Sequence, residues 1–166
     1  MEIMQILDRV IMSTFKNDRK PIAWFAEEDL EMLEAIRQAQ LAYSDFISAI
    51  EEESKRIFPV FDDALVKYAF PATKAGIKVE HLFISDIELR GDKLCGTVAS
   101  EPLYANSVKE GDSIEIEPSR VSDWLYVINA IGVGGFTFKL MWQRFSEQEK
   151  SAYRNQPPFI WLNANN

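Results

Sequence analysis

Two apolar runs joined by a short glycine-containing turn constrain the fold of this chain more than any other feature. Residues 79–89 are rich in β-branched and aromatic side chains, and Ile87 and Leu89 alternate with charged residues. The turn at residues 90–93 leads into a second apolar run, residues 94–99. This pattern predicts a β-hairpin, whose two strands are antiparallel.

Further strands are predicted on both sides of this hairpin. Residues 65–70 form an apolar run that a proline ends, and residues 113–117 alternate cleanly between polar and apolar side chains. Residues 121–131 and 136–141 are predicted as the last two strands, joined by a glycine turn at residues 132–135. The expected sheet is an antiparallel meander with short turns.

The N-terminal third of the chain predicts helices. Apolar residues recur at helical spacing across residues 27–57, with acidic residues at the start and Lys55 and Arg56 at the end, as the helix dipole favours. Ser44 and Asp45 indicate a break into two helices, because both side chains compete for backbone hydrogen bonds.

The two ends of the chain complete the predicted architecture. Ser146 and Glu149 have the spacing of a capping box, which predicts a short C-terminal helix. Residues 1–28 are expected to form an extension with one helix and a short strand, and residues 29–166 to form one domain. The predicted fold is α+β, with N-terminal helices packed on a strongly twisted antiparallel sheet and a short C-terminal helix.

Charge and cysteine content exclude several classes of protein. The chain has 26 acidic and 18 basic residues and a net charge of -8, which argues against binding to nucleic acids or anionic membranes. The same charge suits a basic protein partner. Cys95 is the sole cysteine and is expected to be buried, so a disulfide within the chain and a multi-cysteine zinc site are excluded. With no membrane-spanning stretch and no secretion signal, we expect a cytoplasmic protein.

Five residues at strand edges and turns are the candidates for a binding patch. His81 is the only histidine, and its neighbour Glu80 is expected on the opposite face of the strand. Trp124 belongs to a residue type enriched in binding hot spots, and Asp123 and Glu101 add negative charge. Because one histidine does not make a typical zinc site and no cofactor motif is present, we expect no metal and no cofactor.

Other interpretations of these residues remain open. Ser122, His81 and Asp123 have the residue types of a hydrolytic triad, although no nucleophile-elbow glycine pattern surrounds the serine. Asp123 is equally suited to accept hydrogen bonds from a turn, with Trp124 packed beneath it. Residues 132–135 are interpreted as a hairpin turn rather than a phosphate loop, since a strand and not a helix is expected after them.

Several motifs along the chain, taken in order, are similar to the motif pattern of a known protein family. They are residues 34–40 with Phe46, Glu80-His81-Leu82, residues 96–102, Gly111-Asp112, Ser122-Asp123-Trp124 and Gly135-Phe136-Thr137. In order and spacing they resemble the DUF2314 family, a bacterial domain of unknown function, over residues 29–162. The chain departs from the family pattern at Phe83, Ser100 and Lys139, where Trp, Asn and Arg are expected.

The resemblance implies a fold and a surface patch but no reaction. Small acidic bacterial proteins of this kind often occur as immunity proteins or as partners in toxin systems, an association at the level of fold only. We therefore expect a protein-binding protein, most concretely an immunity protein that occludes a basic toxin. The alternatives are a hydrolase that uses His81 with nearby carboxylates, and a module that dimerises through its N-terminal helices.

Overall fold

A computed structural model describes residues 29–162 of the chain, except residues 74, 75 and 77. The predicted extension at residues 1–28 lies outside the described residues. Within the described residues, two helices precede a six-stranded antiparallel sheet and three helices follow it, which confirms the α+β fold. The helices are α1 (Leu30–Leu41), α2 (Tyr43–Ser54), α3 (Phe136–Arg144), α4 (Glu147–Tyr153) and α5 (Phe159–Leu162). The strands are β1 (Asp63–Pro71), β2 (Val79–Arg90), β3 (Lys93–Val98), β4 (Ser113–Glu115), β5 (Val121–Ile128) and β6 (Ile131–Gly134).

The sheet has the strand order β4-β3-β2-β1-β5-β6, with every neighbouring pair antiparallel. Strands β1 to β4 form the predicted meander, whereas β5 returns to pair with β1. In the centre of the sheet, Val66 lies opposite Ile84 of β2 and Trp124 of β5. Strand β1 therefore has a partner along both edges and holds the middle of the sheet.

The first helix begins at a capping residue. Asp29 Oδ1 accepts a hydrogen bond of 3.1 Å from the backbone amide of Met32, which satisfies one of the free amides of the first turn. Arg144, at the end of α3, forms ion pairs with Asp29 and Glu31 and so ties the two helices together. The predicted break in the N-terminal helix is confirmed, but it falls at Ala42, just before the predicted position.

Apolar side chains fill two clusters, one on each face of the sheet. Because neighbouring side chains in a strand point to opposite faces, Leu65 and Val66 belong to different clusters. Val66 packs with Phe46 of α2, and Leu65 packs with Phe83 and with Phe138 of α3. The sheet is thus covered by helices on both faces, and Lys67, Ser122 and Asp123 within it are buried.

Three local predictions are confirmed. The hairpin turn lies between β2 and β3, and Ser146 and Glu149 form a complete capping box at the start of α4. Cys95 is buried.

None of the described helices has the length and hydrophobicity of a membrane-spanning segment.

The prediction for residues 129–141 is wrong. The chain turns at Asn129 and Ala130, whose φ angles are 50° and 62°, and the glycine segment then runs back along β5 as strand β6. From Phe136 the chain is helical rather than extended. The alternating Phe136 and Phe138 resemble a strand pattern, but the buried positions of α3 recur at helical spacing.

Candidate functional site

Asp123 is fully buried and binds the first turn of α3. Its Oδ1 accepts hydrogen bonds from the backbone amides of Trp124 (2.8 Å) and Phe136 (3.1 Å). Its Oδ2 accepts from the amide of Thr137 (2.7 Å) and from the hydroxyl of the same residue (2.6 Å). Gly135, the residue before α3, has no side chain for capping, so Asp123 supplies the cap from the neighbouring strand.

This arrangement changes two expectations about residues 123–137. Asp123 lies beneath α3, so it is not available to a partner at the surface. A helix N-terminus does follow the glycine segment, contrary to the prediction. The amides of Phe136 and Thr137 are nevertheless already bonded to Asp123, which leaves them unavailable to a phosphate group.

Trp124 belongs to the core and not to a surface patch. It is 3% exposed, and its ring stacks on that of Phe46 with centroids 5.2 Å apart. Its Nε1 donates a hydrogen bond of 2.8 Å to the carbonyl of Ala39. Trp124 therefore joins α1 and α2 to the sheet, and its replacement would disturb the fold rather than test a surface.

Glu80 organises a loop. Its Oε1 accepts from the amide of Leu103 (2.8 Å), and its Oε2 accepts from the amides of Tyr104 (2.8 Å) and Ala105 (2.7 Å). Glu101 is exposed and makes no hydrogen bond or ion pair with any residue that the structure describes. The carboxylates of Glu80, Glu101 and Asp123 thus lie in separate surroundings. No group of three or more potential metal ligands forms in the described part of the chain.

His81 lies on the opposite sheet face from Glu80 and contacts Ser122. Its Nδ1 is 2.9 Å from Ser122 Oγ, and that hydroxyl donates a hydrogen bond of 3.1 Å to the carbonyl of Lys67. Both contacts are satisfied when Nδ1 of a neutral ring carries the hydrogen. Two members of the hypothetical triad therefore meet, but Asp123 is committed to α3 and does not orient His81.

The surroundings of His81 keep its ring neutral. Burial, together with the positive charge of Lys67, lowers the pKa of His81 to about 3. A histidine in the unfolded chain titrates at a pKa of about 6.5. Protonation in mild acid thus favours the unfolded chain.

We expect a His81→Gln variant to remove a pH dependence from the stability of the fold. The contribution of His81 is fully present above the unfolded pKa and is lost as the pH falls towards the folded one. Between about pH 8 and about pH 5, the free energy of unfolding of the natural chain should fall by about 2 kcal/mol relative to the variant. Urea unfolding at several pH values measures this difference, and a constant difference across the range would contradict it.

A groove that the sequence pattern did not reveal lies between α2 and strands β1 and β2. It has a volume of about 350 Å³. Its walls carry the carboxylates of Glu53, Asp63, Asp86 and Glu88 beside apolar side chains such as Ile50. We call it the acidic groove.

A β-bulge brings Asp86 into the acidic groove. The register of β2 against β3 shifts between Ser85 and Glu88, and Asp86 has a φ of 50°. Aspartate tolerates this left-handed conformation better than most residues, and bulges often re-aim side chains beside functional sites. Burial raises the pKa of Asp63, and the nearby Asp86 carboxylate adds to that effect. Arg56 forms an ion pair with Glu53, and Arg90 forms one with Glu88. The negative charge of the groove that has no ion-pair partner among the described residues therefore belongs to Asp63 and Asp86.

An exposed apolar segment borders the acidic groove. It comprises residues 57–60, which we call the apolar loop, and within it Ile57 is 89% and Phe58 81% exposed. Glu53 holds the end of the loop, because its Oε1 accepts from the amides of Val60 (2.7 Å) and Phe61 (3.0 Å). One wall residue of the groove thus fixes the position of the loop. The run of apolar residues that follows Lys55 and Arg56, just after the end of α2, was the signal in the sequence.

Comparisons with known proteins agree with the family likeness. A family model described as "Uncharacterized protein conserved in bacteria (DUF2314)" matches residues 29–159, which confirms the resemblance. The chain is 29% identical over 133 residues to a putative ankyrin repeat protein of Neisseria meningitidis serogroup B, covering 80% of this chain and 53% of that protein. It is 23% identical over 123 residues to the uncharacterized protein YegJ of Escherichia coli K12, covering 74% of each. The chain thus spans about half the length of the Neisseria relative. No solved structure matches.

Proposed function

We propose that this chain, which belongs to the DUF2314 family, binds a protein partner that presents a basic segment next to an apolar one. The observation that carries the proposal is the acidic groove with the apolar loop at its border. Carboxylates in a groove attract lysine or arginine side chains more strongly than scattered surface charges do, because the walls exclude part of the solvent.

The apolar loop and the net charge support the same function in different ways. Ile57 and Phe58 are large and almost fully exposed, and burying each against a partner would contribute about 1.5–3 kcal/mol. The net charge of -8 would steer a basic partner towards the chain and raise the association rate. The exposed apolar area and the net charge therefore both favour a partner that has a basic segment next to an apolar one.

The most specific form of this proposal is an immunity protein in the cytoplasm that neutralises a basic bacterial toxin. It is supported by the acidic groove and by the acidic composition. The Neisseria relative is named as an ankyrin repeat protein, and repeat proteins of that kind use extended concave surfaces for binding.

The hydrolase alternative gains no support from the geometry. Within the described part of the chain, His81 makes no hydrogen bond to a carboxylate, and Ser122 is buried with its hydroxyl bonded to a backbone carbonyl. We therefore propose no second function.

Affinity capture from the native host tests the proposal with two matched variants. Asp86→Asn with Glu88→Gln removes two charges from the acidic groove while keeping side-chain size, and asparagine also tolerates the conformation of position 86. Glu110→Gln with Glu147→Gln removes two exposed charges elsewhere. We expect a stoichiometric partner whose affinity for the groove variant is about tenfold weaker at low salt. The control variant should bind as the natural chain does. Equal losses in both variants, or no partner at any salt concentration, would contradict the proposal.

A further inference from the structure

A lysine in the middle of the sheet has no partner for its amine. Lys67 of β1 is 7% exposed and lies on the sheet face that packs against α3. Across the described residues, its Nζ makes no hydrogen bond and no ion pair. The Nζ atom lies 5.9 Å from the centroid of the Phe138 ring. The amine therefore sits in largely apolar surroundings.

Asp123 does not satisfy this amine. The two residues are directly opposite in the β1–β5 register. The carboxylate already accepts four hydrogen bonds, from Trp124, Phe136 and two groups of Thr137. An ammonium group carries three donors, and burying them without acceptors is unfavourable. Lys67 thus retains bonding capacity that the described residues do not use.

A neutral histidine lies on the same sheet face as Lys67. In the β1–β2 register Lys67 is opposite Phe83 and Ala69 is opposite His81, so Lys67 and His81 are diagonal neighbours. His81 Nδ1 is engaged with Ser122, which leaves the Nε2 lone pair without a partner among the described residues. The site combines an unbonded amine with an imidazole that stays neutral.

We propose that Lys67 is a reactive amine that captures a small carbonyl compound, an aldehyde or a 2-oxo acid, as an imine. The neutral amine nitrogen adds to the carbonyl carbon, so a carbon–nitrogen bond forms and the first of its two protons passes to the carbonyl oxygen. The second proton then passes to the resulting hydroxyl, the carbon–oxygen bond breaks and one water leaves. The nitrogen lone pair forms the carbon–nitrogen double bond, so the step requires no oxidant and no reductant.

Electrostatics around Lys67 favour this chemistry. The titratable groups that face its amine are Asp123 on β5 and His81 on β2, and α3 contributes the uncharged Phe138. Burial lowers the pKa of Lys67, while the negative charge of Asp123 acts against that effect. The net lowering increases the neutral fraction of the amine, which is the nucleophilic form.

Reductive trapping with glyoxylate and cyanoborohydride near neutral pH tests the proposal on the folded chain. Digestion and mass spectrometry then give the adduct yield at each lysine. Lys93 is the internal comparator, because it is exposed and its Nζ lies 2.7 Å from Glu115 Oε2, which raises its pKa. We expect Lys67 to be modified at least about tenfold faster than Lys93 despite its burial, since each unit of pKa difference changes the neutral fraction about tenfold.

One variant completes the experiment. Lys67→Arg keeps the charge opposite Asp123 and should abolish the adduct at that position alone. A yield at Lys67 equal to or below that at Lys93 would overturn the proposal and leave Lys67 as a counter-charge for Asp123.

Discussion

Replacing Asp123 with alanine is expected to lower the free energy of unfolding by about 4 kcal/mol. The substitution leaves the buried amides of Trp124, Phe136 and Thr137 without their acceptor. It also removes the negative charge opposite Lys67. Urea unfolding near neutral pH measures the loss, and hydrogen exchange at Phe136 and Thr137 should become faster in the variant.

Glu101→Ala is the matched control for Asp123→Ala. Both residues belonged to the predicted binding patch, but Glu101 is exposed and unbonded within the described part of the chain. Its replacement should change stability by less than about 0.5 kcal/mol. A loss below about 1 kcal/mol for Asp123→Ala would show that the carboxylate does not hold the start of α3.

Replacing Gly134 with alanine is expected to destabilise the fold by about 3 kcal/mol. A Cβ atom at this position would lie 2.3 Å from the carbonyl oxygen of Trp124 and 2.5 Å from its ring. The φ of Gly134 is 93°, a conformation that L-residues rarely adopt. Either β6 or the buried tryptophan would have to shift, and thermal or urea unfolding would report the cost.

The Gly91→Ala variant separates the cost of the positive φ angle from the cost of the clash with Trp124. Gly91 also has a positive φ, 69°, but nothing lies within 4 Å of a Cβ built there. We expect a loss of about 1 kcal/mol from the backbone conformation alone. If both variants lose the same stability, the close approach of β6 to Trp124 is not what requires glycine at position 134.

Much of the fold is predictable from sequence because its signals are local. The β2–β3 hairpin follows from a short turn between two apolar runs, and α4 follows from the Ser146–Glu149 capping box. Helix α3 was predicted as a strand because its cap is not local. Asp123 lies 13 residues before Phe136, and no short-range pattern indicates that this carboxylate would start the helix.

The candidate site is less predictable for the same reason. The sequence singled out Asp123 and Trp124, but residue type does not say whether a side chain faces a partner or the core. The acidic groove depends on a bulge at Asp86 and on the packing of α2 against β1, which are long-range features. The sequence did indicate that Lys67 is unusual, because it is the only charged residue in the apolar run of residues 65–70.

Amide NMR of the isotopically labelled chain, titrated with a short peptide of alternating lysine and leucine, tests the central claim most directly. An otherwise identical peptide with glutamate in place of lysine is the control. We predict saturable shifts confined to the apolar loop and to residues around Asp86 and Glu88. The glutamate peptide should produce none, and higher salt should weaken the effect. Shifts centred on another surface, or equal responses to both peptides, would contradict binding of a basic segment in the acidic groove.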